Sequence, residues 1–197
     1  GVIKKMKRTK TIIFSFFAFF LLACSARHDY NWQLVLADSL MQLQPDSTLF
    51  ILQNISNQEL ATRADSAYYA LLMTQAKDQN CVLQTDDSLI RIAAYYYDAI
   101  GDIILQAKAH YYYGCVWRDK NNYPKAIVEY RKARTFAEEA KDVNLLSCIY
   151  SNVGHLYYSQ ELDEEADSIY KLAEQLAVQQ QDTTGLVYAL LQRGMIN

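Results

Sequence analysis

Thiols, imidazoles and paired carboxylates are the groups in this sequence able to attack a substrate, hold a metal or carry a proton, and their spacing decides whether they do. The cysteines are Cys24, Cys81, Cys115 and Cys148. No two stand at the CxxC interval of a zinc or redox site. Apart from Cys24 their number is odd, which leaves no complete disulfide framework, and each reads as a small apolar residue or a helix-face residue. His28, His110 and His155 are equally scattered, with no HExxH pair among them, and metal binding at His155 is not expected. There is no glycine-rich phosphate loop and no GxSxG elbow. Glu138-Glu139 and Glu164-Glu165 read as solvated helix faces. The chain is therefore expected to be non-enzymatic, with no metal and no cofactor.

The elements that carry these residues form an array. Gly114, Gly154 and Gly194 lie 40 residues apart, as do Asp102, Asp142 and Asp182. Ala126/Ala166, Tyr130/Tyr170 and Ala133/Ala173 repeat the same interval. A period of this length is the mark of a repeat architecture. Two helices account for it. In the first, Gly114 offers a place of close approach for a neighbouring helix, with Tyr113 and Trp117 filling the space beside it. A glycine inside a helix costs about 1 kcal/mol relative to alanine, so its recurrence points to a packing benefit. In the second, Ala126, Tyr130 and Ala133 make one apolar stripe that is expected to face the first helix.

On these residues the chain resembles the tetratricopeptide repeat (TPR) family of helix–turn–helix solenoids. The family's small and aromatic positions are matched by Gly114, Trp117, Ala126, Tyr130 and Ala133, and one repeat later by Gly154, Tyr157, Ala166, Tyr170 and Ala173. The period is 40 residues in place of the family's roughly 34, and Glu138 and Val178 stand where members often carry proline. Longer helices are expected, within an all-α, TPR-like superhelical solenoid of antiparallel helix pairs.

The first 23 residues differ in composition from the rest. Lys4, Lys5, Lys7, Arg8 and Lys10 precede the apolar run Thr11–Leu22, followed by Ala23 and Cys24. This is the pattern of a secretory leader, and the run is short for a membrane span. Leu21-Leu22-Ala23-Cys24 resembles the lipobox of bacterial lipoproteins, which implies that Cys24 becomes the lipidated N-terminal residue. Five of the 19 basic residues lie in that leader, leaving 14 against 22 acidic ones and a formal charge of −8. Nucleic-acid binding, which needs clustered Lys and Arg, is not favoured in this region.

Beyond the leader (1–23), a divergent helical pair is expected over 24–57, with Trp32, Leu36, Leu40 and Leu43 as its first apolar face and Pro45 opening the second helix. TPR-like repeats are expected over 58–101, 102–141 and 142–181, with an incomplete one over 182–197. The pair in 58–101 is degenerate, with helices from about Glu59 to Ala76 and from Asp86 to Ile100. Gly101 ends one helix and Asp102 caps the next, and Asp142 and Asp182 repeat the cap. Pro124 suits a first helical turn. No second helix follows to cover Leu190, Leu191 and Ile196, from which a longer chain is expected.

The resemblance also implies which residues line the concave face. They are Lys108, Tyr111, Cys115 and Arg118, then Cys148, Ser151, His155 and Tyr158, with Tyr188, Leu191 and Met195 from the incomplete repeat and Tyr68, Leu71, Gln75 and Asp78 from the degenerate one. The family's chaperone-binding members clamp a terminal carboxylate with Lys and Asn. The matching positions here hold Tyr111/Cys115 and Ser151/His155, so that activity is not implied. Tyr113, Tyr130, Tyr150, Tyr157 and Tyr170 are expected between helices. The expected function is a protein- or peptide-binding scaffold, anchored through lipidated Cys24 at the membrane of the cell envelope and facing the periplasm. The alternative is the N-terminal sensor region of a longer membrane-spanning signalling or transcription-regulatory protein.

Overall fold

The structure is a computed structural model and describes residues 30–196. The leader (1–23), Cys24 and His28 lie outside the described residues. Within them the chain is all-α: α1 Trp32–Leu40, α2 Pro45–Gln53, α3 Arg63–Gln79, α4 Ser88–Ile100, α5 Ile103–Asp119, α6 Tyr123–Ala140, α7 Val143–Tyr158, α8 Asp163–Gln180 and α9 Thr183–Ile196. A short 3-10 turn, Asn57–Glu59, precedes α3. Among the described residues no helix is long and apolar enough to cross a membrane.

Every helix packs on the next in the chain. The odd-numbered helices also touch one another in sequence (α1 with α3, α3 with α5, α5 with α7, α7 with α9), whereas no two even-numbered helices touch. The chain therefore makes two rows, an odd row in mutual contact and an even row splayed apart.

Local chemistry fixes the ends. Thr62 and Asp65 form a reciprocal capping box, the Thr62 hydroxyl accepting from the Asp65 amide at 2.9 Å and the Asp65 carboxylate from the Thr62 amide at 3.2 Å. That box starts α3 at Arg63, later than Glu59. Asp65 also accepts from the Asn31 amide at 2.8 Å, tying the start of α1 to that of α3. Asp102 and Asp142 cap α5 and α7 by accepting from the amides of Leu105 and Leu145 at 3.1 and 3.0 Å. Asp182 instead accepts one residue nearer, from Thr184 at 3.1 Å. Pro124 sits in the first turn of α6.

The backbone carries the repeat further than the side chains do. Cys81, Asn121 and Glu161 have φ of 54°, 56° and 60°, and Gly101, Lys141 and Gln181 have 74°, 57° and 55°. Both triplets step by 40 residues. A left-handed residue follows each helix from α3 to α8, and only at Gly101 is it the residue for which that conformation is free of strain.

The core follows the glycine–tyrosine pairing. A Cβ on Gly114 would lie 2.6 Å from the Tyr130 ring, and one on Gly154 2.5 Å from the Tyr170 ring. Both tyrosines are fully buried. Tyr150 is buried, whereas Tyr113 and Tyr157 are partly so. His110, at 2 % exposure, joins three helices: Nδ1 is 2.6 Å from Glu129 of α6, and Nε2 is 3.0 Å from Asp98 of α4. Both carboxylate oxygens can only accept, so the two contacts are complete when both ring nitrogens carry hydrogens. Burial pushes the Glu129 carboxyl up, but hydrogen bonds from His110 and Lys132 outweigh it and hold it below its ordinary value.

In α1 the apolar face differs from the expected one. Leu34, Ala37 and Met41 are buried, while Trp32 and Leu43 are 70 % and 82 % exposed. The sequence is apolar on both sides there, so periodicity alone could not choose the face, and packing against α3 did.

Candidate functional site

The odd row carries two grooves. The larger, about 630 Å³, runs between Gln75, Asp78 and Gln79 of α3, Lys108, Tyr111 and Tyr112 of α5, and Asp142, Asn144, Leu145 and Cys148 of α7. Gln42, just past α1, closes one end. The second, about 390 Å³, lies between Ser147, Ser151 and Asn152 of α7 and Thr184, Gly185 and Tyr188 of α9. Tyr111 and Cys148 line both. The two grooves adjoin along the odd helices with Tyr111 and Cys148 as shared lining, and together they make up a channel surface.

Side chains spaced one turn apart build the walls. Gln75 and Gln79 stand at i and i+4 on α3, with Asp78 between them on the same face. Arg118 reaches from α5 to Asp78 at 2.8 Å and to the Asn152 oxygen at 2.8 Å, and it also bonds Asp119 at 2.9 Å. Because the Asn152 oxygen accepts from Arg118, its Nδ2 faces the Tyr111 hydroxyl and donates to it at 3.1 Å. The Ser151 hydroxyl donates to the Tyr188 hydroxyl at 3.1 Å and ties α7 to α9 in the second groove.

Of the sequence-derived site residues, Lys108, Tyr111, Ser151 and Tyr188 line the channel. Cys148, from the same set, lies at its waist. Cys115 does not line it. It is fully buried, 3.5 Å from the Tyr130 hydroxyl, and burial pushes its thiol up. The small Cys115 side chain packs at the hydroxyl end of the buried Tyr130, so it belongs to the core. Leu71, 1 % exposed, is core for the same reason of close packing. Arg118 is held by Asp78, Asp119 and Asn152 beneath the channel wall. His155 and Tyr158 are exposed beyond the channel lining.

The channel's lining is made largely of rings, hydroxyls and side-chain amides. Cys148 is exposed as a residue, yet burial pushes its thiol up, away from the thiolate form that attacks or ligates. Tyr111 and Tyr112 are likewise pushed up by burial and stay neutral donors. Among the described residues no group of three or more His, Cys, Asp or Glu could hold a metal ion.

Sequence reasoning missed Gln42, Gln79, Asn144 and Asn152. Gln79 was within reach, one turn after Gln75 on an assigned face. Asn152 was not, because its role depends on a guanidinium that crosses from α5. No protein-family model matches the chain, and no curated protein matches it in sequence.

Proposed function

We propose that this chain is a non-enzymatic binding scaffold of TPR-like solenoid type whose odd-helix channel holds an extended peptide or protein segment. The observation that carries the reading is that the two grooves adjoin along the odd helices, sharing Tyr111 and Cys148. A channel lined by aromatic rings and side-chain amides suits a partner that supplies apolar side chains and a polar main chain. The 40-residue pairing of Gly114 with Tyr130 and Gly154 with Tyr170 supports the TPR-like part of the reading. Leu21-Leu22-Ala23-Cys24 supports an anchor on acylated Cys24, which holds the scaffold at a membrane on the periplasmic side. Stable anchoring of that kind takes more than one acyl chain.

A photo-crosslinking amino acid placed at Ser151 or Tyr188 tests the channel in the native envelope. The expected result is one discrete crosslinked polypeptide from both positions and none from Val178, which is exposed on α8. Crosslinks of equal yield from all three positions overturn the reading. For the anchor, Cys24→Ala is expected to release the protein from membrane fractions, and the mature N-terminal peptide to carry acyl mass.

A further inference from the structure

The α3 wall of the larger groove carries an unmet demand for hydrogen-bond donors. Gln75 is 4 % exposed, and its Oε1 is buried with no hydrogen-bond partner. The Oε1 of Gln79, one turn on, is in the same state. These are two of the four such side-chain atoms among the described residues, and both belong to residues that line one groove. A buried acceptor without a donor is costly, and folding alone does not select for it.

The surrounding groups sharpen what donor would fit. Asp78 lies between the two glutamines, and Asp142 faces them from α7, with one of its oxygens already used on the Leu145 amide. Lys108 is the one cation in the lining. Arg118 already holds Asp78, which leaves the Asp142 carboxylate and the Lys108 ammonium as the remaining charges of the lining, and the two glutamine oxygens as acceptors without donors. A carboxylate ligand would meet like charge there. An ammonium or guanidinium group brings donors and no acceptors, which complements the wall. Both glutamine oxygens are buried, and because the last torsion of a glutamine is broad and two-fold, rotation about it exchanges the carbonyl with the NH2 and presents the oxygen to an arriving donor.

We propose that this end of the channel, at Gln75, Gln79 and Asp142, is a subsite for a basic side chain, lysine or arginine, of the bound segment. The inference rests on the reading of the channel as a peptide site. The subsite sets where a peptide sits along the channel and selects against acidic segments there. The two glutamines thus give up folding stability for recognition.

The test titrates the full chain, 15N-labelled, with three small probes: N-acetyl-lysine N-methylamide, its norleucine analogue lacking the ammonium, and its glutamate analogue. Each residue is also offered at the centre of an alanine-flanked pentapeptide. The readout is the shift of the Gln42 and Asn144 side-chain amide resonances, which line the same groove and remain in every variant tested. The lysine probe is expected to bind at least about tenfold more tightly than norleucine, with glutamate weakest. The double variant Gln75→Met, Gln79→Met is expected to lose that preference while unfolding at the same or higher urea concentration, since it removes two unsatisfied oxygens. Equal binding of lysine and norleucine, a preference that survives in the double variant, or no binding of any probe overturns the subsite. Pentapeptides that bind regardless of their central residue overturn it and leave the peptide channel standing. A lysine amide that binds at Gln75 and Gln79 while the pentapeptide gains nothing supports the subsite and removes the peptide reading.

Discussion

The ring of Tyr130 occupies the space that a side chain on Gly114 would need, 2.6 Å from the position of an added Cβ. Tyr170 stands in the same relation to Gly154, and nothing lies within 4 Å of such an atom on Gly194. Gly114→Ala gains about 1 kcal/mol in helix propensity and forces a rigid ring and its helix to move, an overpacking cost of about 1–3 kcal/mol. The net expectation is a loss of about 1 kcal/mol, read by urea unfolding at constant slope. Gly194→Ala should instead be neutral or stabilising. A stabilised Gly114→Ala would sink the close-packing account.

Lys141 and Gln181 hold the left-handed conformation that Gly101 holds without strain. Their Cβ atoms make that conformation costly by about 1 kcal/mol, part of which glycine returns through its freer unfolded chain. Lys141→Gly and Gln181→Gly should each raise stability by about 0.5 kcal/mol. Asn121→Gly should gain less, because asparagine tolerates this region. Thermal unfolding of the three variants checks the ranking, and a gain at Asn121 equal to that at Lys141 would contradict it.

His110 sits between two carboxylates, and Glu129 is held below its ordinary value despite its burial. A carboxyl depressed in the folded state contributes stability above its unfolded value of about 4.3, and that contribution is lost as pH falls through the lower folded value. His110→Leu should cost about 3 kcal/mol at neutral pH by leaving Glu129 short of a partner. It should also flatten the fall in stability between about pH 5 and 3. The double variant His110→Leu, Glu129→Leu should recover much of the loss. Unfolding curves across that range decide it, and an unchanged acid limb in the single variant would remove Glu129 from the account.

Arg118 joins Asp78 of α3 to Asn152 of α7 from its place on α5. Its loss should act first on stability and on the alignment of the odd helices. Arg118→Met is expected to cost about 2 kcal/mol and to turn the Asn152 amide away from Tyr111. The Asn152 side-chain resonances report that turn. Full retention of stability with loss of ligand binding would return Arg118 to the role of a contact residue.

How much of this was legible can be followed residue by residue. Asp102, Asp142 and Pro124 announced helix starts because caps and first-turn prolines act within a few residues of chain. Gly114 announced a close helix approach and the Ala126–Tyr130–Ala133 stripe announced the side that faces it, whereas the seating of the Tyr130 ring on Gly114 is a result of packing. Lys108, Tyr111, Ser151 and Tyr188 fell on the channel because the odd helices present the same positions in each repeat. Chain periodicity thus determined the all-α class and the rhythm of helix pairs, while the row that lines the channel was implied by the family resemblance.

Tertiary structure decided what local pattern leaves open. Whether Trp32 or Leu34 faces inward depends on which side α3 approaches, and both sides of α1 are apolar. Cys115 lies one turn after Tyr111 in the groove register, and only its packing with the Tyr130 hydroxyl 3.5 Å away decides that it is core. Arg118 meets Asp78 because residues 40 apart on neighbouring odd helices come level, a contact between two surfaces that neither helix encodes by itself. The unmet oxygens of Gln75 and Gln79 exist only once neighbouring helices pack on α3 and exclude water. Burial and long-range pairing are properties of the assembled stack, and the chemistry of the channel depends on both.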